Sequence, residues 1–213
     1  MRLYLVRHGQ TSWNISGRAQ GHTDIHLDPT GLDQAARVGE AFMDIAVDRV
    51  ISSDLSRSAQ TAAPISKSTG IPLELRSDLR ERSFGEWEGL SFTEVTARLQ
   101  QKAADNGISP QEVRPPGGES FQDVWDRLDP IYNMLCNAEG SIVVVSHGGT
   151  LSLLAAKLIR GTLDTSRAFR LANTGITEME LRSEGLFLIV RYSDTQHLGN
   201  ARVLSGNIDG ITR

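Results

Sequence analysis

The chain has 213 residues, of which 39% are hydrophobic and 23% charged, and it carries a formal net charge of −4. This composition suits a folded globular protein, and an acidic balance without a global basic field argues against broad nucleic-acid binding. No apolar run reaches the roughly 18 residues that span a bilayer, and a single cysteine, Cys136, allows no intramolecular disulfide.

The first predicted element is a strand at 3–6, Leu3-Tyr4-Leu5-Val6, which runs straight into Arg7-His8-Gly9-Gln10-Thr11. With no leader pattern ahead of that strand, the cytoplasm is the expected compartment. A helix is predicted over 30–44 with Thr30 as its N-cap. A strand at 49–53 leads into a helix over 54–69 closed by Gly70, with Pro64 expected to shorten or kink it. A short strand follows at 73–75. The stretch 92–104 reads as helix, and 106–118, with its Asn-Gly, Pro-Pro and Gly-Gly pairs, as loop. A further helix is predicted over 119–138, bent at Pro130, and Cys136 on it reads as a small core residue rather than a reactive thiol. The strongest strand is 141–146, apolar on both faces, followed by a helix at 150–159. Two strands, 176–181 and 186–192, are joined by Ser183-Glu184-Gly185, and a tail of little periodicity occupies 194–213.

Strands and helices alternating in this way imply an α/β fold of three layers, a mainly parallel central sheet with helices on both faces. One domain over 1–213 is expected, with a small helical cap-like insertion at about 84–120.

Four segments carry chemistry. Arg7 and His8 leave the carboxyl end of the first strand, where open α/β sheets build their sites, and Gly9 lets backbone approach an anion. A neutral imidazole has the lone pair a phosphoryl group requires of its nucleophile, and nearby guanidinium groups disfavour the imidazolium. Asn14 adds a hydrogen-bond donor. Ser146-His147-Gly148-Gly149-Thr150 repeats the design: strand, histidine, glycine turn, helix. Arg57, in Ser53-Asp54-Leu55-Ser56-Arg57-Ser58-Ala59-Gln60-Thr61-Ala62, falls in the first turn of a helix, where the dipole disfavours a cation, so a phosphate clamp is its functional reading. Glu81, Glu86 and Glu88 each offer a carboxyl group for proton transfer, and residue type and spacing do not choose among them. The arginines at 76, 80, 82 and 114 read as solvated surface groups, and Phe84 and Trp87 as packing.

In combination, Leu5-Val6-Arg7-His8-Gly9-Gln10-Thr11, Asn14, the 53–62 run, Glu81 followed by Phe84-Gly85, and Ser146-His147-Gly148 resemble the histidine phosphatase superfamily, the phosphoglycerate mutase-like enzymes. The resemblance extends from Leu5 to about His197. It implies that His8 is the nucleophile that becomes phosphorylated, that Arg7, Arg57 and His147 bind the transferred phosphoryl group, and that Glu81 is the general acid and base. Asn14, Gln20 and Gly21 are then expected to line the pocket, with Gly148 among the substrate-binding residues. No cofactor is implied.

The short stretch between Glu81 and Gly117, where the mutases carry a longer insertion, resembles the phosphatase branch. The expected activity is hydrolysis of small phosphomonoesters, such as phosphosugars, phosphoserine, phosphoglycerate-type acids or α-ribazole phosphate. Phosphoglycerate mutase is the alternative, and a catalytically silent phosphate-binding module the second. A metal site drawing on His8, His22, His26, His147 and His197 is disfavoured, since no Cys pair or His-Glu-x-x-His pattern supports it. The expected partner is a small phosphorylated metabolite, not nucleic acid or membrane, and a homodimer stays open.

Overall fold

The computed structural model describes residues 1–182 and 185–199. Residues 183 and 184 of the predicted turn, and 200–213 of the predicted tail, lie outside the described residues. The elements are β1 (Arg2–Arg7), α1 (Ser12–Ile15), α2 (Pro29–Ala41), β2 (Arg49–Ser53), α3 (Ser56–Thr69), β3 (Leu73–Arg76), α4 (Phe92–Asn106), α5 (Phe121–Arg127), α6 (Asp129–Cys136), β4 (Ser141–Ser146), α7 (Gly148–Leu158), β5 (Ile176–Leu181) and β6 (Phe187–Asp194). Four short 3-10 turns among the described residues, Ser77–Leu79, Gly85–Trp87, Asp164–Ala168 and Gln196–Leu198, had no signal in the sequence strong enough to read.

The six strands form one sheet in the order β3-β2-β4-β1-β5-β6. The four strands from β3 to β1 are parallel, and β5 and β6 add an antiparallel edge. The sheet is mainly parallel, as predicted, and mixed through that edge. Alternation along β1 explains its uninterrupted apolar spelling. Leu3 and Leu5 enter the cluster that includes Val124, Ile131 and Leu154 on α5, α6 and α7, while Tyr4 and Val6 enter the one with Val38 and Ile65 on α2 and α3. Cys136 is half-buried at the margin of the first cluster. No helix among the described residues is long and apolar enough to cross a membrane.

Three predicted elements differ in detail. The N-cap of α2 is Asp28 rather than Thr30: its carboxylate accepts the Gly31 N–H at 2.8 Å, and Pro29 fills the first helical position, where its missing N–H costs nothing. Helix α3 runs unbroken through Pro64. The backbone of α2 passes so close there that a Cβ on Gly39 would lie 2.7 Å from Pro64 Cβ, so packing between the two helices holds the segment helical. The predicted 119–138 helix is two helices. It breaks at Leu128, because Pro130 offers no N–H to the carbonyl of Asp126 and its ring crowds that group.

Segment 84–120 carries α4, which starts on a reciprocal Ser91–Glu94 cap and ends at Gly107. Its buried side chains Val95, Leu99 and Ala103 form a third apolar cluster with Ala19, Phe84, Trp87 and Val113. That cluster ties the segment to the loop after β1.

Candidate active site

Parallel pairing of β1 with β4 places Arg7 opposite Ser146, so His8 and His147 leave adjacent strands at the same edge. Their ring centroids are 5.2 Å apart. Strand β2 ends beside them and passes into α3, which carries Arg57. A cavity opens at this edge, with Arg7, His8, Arg57, Glu81, Asn14 and Gln20 as its polar lining. Gly148 and Gly149 at the start of α7, and the rings of Phe84 and Phe92, complete the wall.

His8 is buried, and its orientation is fixed. Its N–H bonds to Ser146 O at 2.8 Å, its carbonyl accepts from Asn173 Nδ2 at 2.8 Å, and its Nδ1 lies 2.7 Å from Gly9 O. A carbonyl can only accept, so Nδ1 carries the proton and Nε2 keeps its lone pair. Burial, reinforced by the charges of Arg57 and Arg7, holds the His8 pKa well below the usual histidine value despite the Gly9 contact. His147 is lowered in the same direction, by burial and then by Arg57. The unfolded chain therefore binds more protons than the folded one below about pH 6.5. Both histidines contribute stability that is complete above that pH and is lost as the pH falls through the window below it. The expected result is a thermal midpoint that declines from pH 7 to pH 5 and declines less in His147→Gln, read by differential scanning fluorimetry. An equal decline in both proteins would remove His147 as a cause.

Arg57 is fully buried. Burial lowers its pKa to about 10, against the opposing charges of Glu81, Asp24 and Glu88, so it stays cationic at neutral pH. Its Nε–H donates to His147 Nδ1 at 3.2 Å, one terminal nitrogen to Thr23 O at 3.1 Å and the other to Gly21 O at 2.7 Å. That leaves one N–H on each terminal nitrogen for a ligand. Arg7 donates to Leu171 O at 2.7 Å. His147 is fully buried beside Arg57. With Nδ1 accepting from Arg57, its Nε2–H donates to Ser53 Oγ at 2.9 Å, so in this arrangement it orients the guanidinium.

The three candidate glutamates separate cleanly. Glu81 lines the cavity, and its carboxylate caps α7: Oε2 accepts the Gly149 N–H, and Oε1 the N–H groups of Thr150 and Arg82, each at 3.0 Å. Glu86 is exposed. Glu88 grips the 21–23 turn from outside the cavity. Asn14 accepts from the Thr11 N–H with Oδ1, which frees its amide nitrogen for the cavity. Gly21 lies off the wall and acts through its carbonyl.

Two residues escaped the sequence reading. Phe92 forms part of the wall, which its place at the start of a predicted helix did not signal. Arg82, expected on the surface, is 1% exposed and stacks between Phe84 and Phe121, 4.3 and 4.0 Å from their centroids. His22 donates to Glu81 O at 2.8 Å, and no group of three or more metal-ligating side chains occurs among the described residues.

A buried imidazole with a free Nε2, two guanidinium groups and a carboxylate at one sheet edge define a phosphoryl-handling site. The sequence profile of the histidine phosphatase superfamily (branch 1) matches residues 3–195, and the chain belongs to that family. It is 34% identical over 184 residues to the "probable phosphoglycerate mutase GpmB" of Salmonella choleraesuis, covering 84% of this chain and 85% of the relative. It is 32% identical over 216 residues to the metal-independent phosphoserine phosphatase of Arabidopsis thaliana, covering 98% and 87%. Among solved structures it is similar to the phosphoserine phosphatase of Entamoeba histolytica in complex with 3-phosphoglyceric acid. That match has a TM-score of 0.78 and 32% identity over 92% of this chain and 98% of the other.

Proposed function

We propose that this protein hydrolyses small phosphomonoesters through a phosphohistidine at His8. The observation that carries the reading is the fixed tautomer: Nδ1–H is tied to Gly9 O, so Nε2 presents a lone pair to a cavity flanked by Arg7 and Arg57. In the first step Nε2 attacks phosphorus in line. The P–N bond forms, the P–O ester bond breaks, and Glu81, in its acid form, gives its proton to the departing oxygen. Arg7 and the two spare N–H groups of Arg57 hold the equatorial oxygens, where charge accumulates. In the second step the Glu81 carboxylate takes a proton from water as that water attacks phosphorus. The P–N bond breaks, and phosphate leaves with His8 restored.

The relatives' names point to three-carbon phosphoacids, phosphoserine and 3-phosphoglyceric acid, as first substrates to try. Mutase chemistry is the second reading, favoured by the GpmB relatives. A single cysteine suits a reducing compartment, and we place the enzyme in the cytoplasm.

The test is phosphate release from p-nitrophenyl phosphate and from phosphoserine in excess chelator. Full activity with chelator is expected, because the proposed charge neutralisation comes from Arg7 and Arg57. Loss of activity, restored by a divalent cation, would overturn the metal-independent route. With 3-phosphoglycerate and bisphosphoglycerate together, free phosphate should form faster than 2-phosphoglycerate, and the opposite ratio would favour the mutase.

A further inference from the structure

Glu88 is not among the residues that line the cavity, yet its carboxylate receives four hydrogen bonds. Oε1 accepts the N–H of His22 at 2.8 Å and of Phe84 at 3.2 Å, and Oε2 accepts the N–H of Thr23 at 2.8 Å and the Thr23 hydroxyl. Three of the four come from the turn after Gln20. The turn closes around the carboxylate: Gly21 has φ +52°, and a Cβ there would sit 2.2 Å from Glu88 Oε1. Glycine is required at 21 by the left-handed backbone and by the space the carboxylate occupies.

The other side of the turn faces Arg57. The carbonyl of Gly21 and the N–H of His22 belong to one peptide unit, and that unit is trans, as all are among the described residues. In a trans peptide the N–H and C=O point in opposite directions. Holding the His22 N–H on Glu88 therefore aims Gly21 O at the opposite side, where it accepts from Arg57 at 2.7 Å. The same turn supplies Thr23 O to the other terminal nitrogen. Its next residue, Asp24, caps α3 by accepting the Ser56 N–H at 2.8 Å and the Ser56 hydroxyl at 2.6 Å, one residue before Arg57. An anion on the N–H end also polarises the peptide and strengthens its carbonyl as an acceptor.

We propose that Glu88 is a positioning residue for phosphoryl binding: it aims the Gly21 peptide at Arg57 and so fixes which guanidinium N–H groups remain for the substrate. The inference rests on reading Arg57 as a phosphoryl clamp. Its role is distinct from that of Glu81, which faces the cavity and handles the proton.

The test is a double-mutant cycle on the full chain: wild type, Glu88→Ala, Arg57→Ala and the double variant. The readouts are kcat and KM for p-nitrophenyl phosphate, the inhibition constant of inorganic phosphate, and the thermal midpoint. Glu88→Ala is expected to lower kcat/KM by up to about 10²-fold, the cost of misplacing a reacting-site group by about 1 Å, and to weaken phosphate inhibition alongside. In the Arg57→Ala background the same substitution should change kcat/KM by less than about twofold, since interacting residues are non-additive. The thermal midpoint should fall equally in both backgrounds. Glu88→Gln keeps the Oε1 acceptor but turns an amide N–H toward the Thr23 N–H, so its kcat/KM should lie between wild type and Glu88→Ala. If the alanine variant does not fold, the glutamine variant carries the cycle. Equal losses in both backgrounds, or an unchanged kcat/KM in Glu88→Ala, would overturn the inference. Full activity in Arg57→Ala alone would instead overturn the clamp reading on which it rests.

Discussion

Replacing His8 with alanine is expected to lower kcat by roughly 10⁵- to 10⁶-fold, the scale seen when an enzyme loses its nucleophile. No neighbour can take over. His147 is the nearest imidazole, but its Nδ1 is occupied by Arg57 and its Nε2–H by Ser53. Binding should survive, because the arginines remain and a charge-neutral group has been removed. His8→Ala should therefore still bind phosphate with an affinity within about tenfold of wild type, measured by calorimetry, while turnover vanishes. Quenching the wild-type reaction in alkali should trap phosphate on His8, and the variant should trap none. A variant retaining a tenth of wild-type kcat would end the phosphohistidine proposal.

Glu81→Gln is expected to act selectively. An alkyl phosphate has a poor leaving group that departs only with a proton, so its hydrolysis should slow by about 10²- to 10⁴-fold. An aryl ester such as p-nitrophenyl phosphate departs as a stable anion and should slow far less. The slope of log kcat/KM against leaving-group pKa should steepen in the variant. Equal slowing of both esters would remove Glu81 from leaving-group protonation. The substitution also has a structural effect, because the glutamine amide would face the Gly149 N–H that now donates to Oε2. Leaving that group unsatisfied costs about 1–3 kcal/mol, and a parallel thermal melt separates this effect from the chemical one.

The sequence was most legible where a single local rule acts. Strands β1 and β4 are spelled by continuous apolar runs, and the residues at or just beyond their carboxyl ends, Arg7, His8 and Gly148, meet at the cavity. Pro64 and Pro130 show why local rules stop short. The same residue type sits within α3 but separates α5 from α6, and the α2 backbone passing over Pro64 is a tertiary fact. The site divides in the same way. Arg7, His8 and Arg57 stand out by residue type at strand and helix ends, whereas Glu81 is singled out from its neighbours only by the family resemblance. By contrast, Glu88 and Glu81 have identical chemistry and differ only in which backbone N–H groups they meet. Arg82 was misread because charge argues for solvent, whereas two aromatic faces contributed by residues 84 and 121 hold it inside. The proton placement on His147 depends on Arg57 across 90 residues of chain, which no motif encodes.

The position of β1 has a consequence for how the site comes into being. This first strand lies in the middle of the sheet, between β4 and β5, and Arg7 bonds to Leu171 across 164 residues. Closing such long loops is entropically costly and slows folding. On the ribosome, β1 emerges before β4 and β5, the partners on both its flanks. His8 therefore waits for β4 and β5 before its pocket closes around it, and chains that stop short of them carry the histidine without the site.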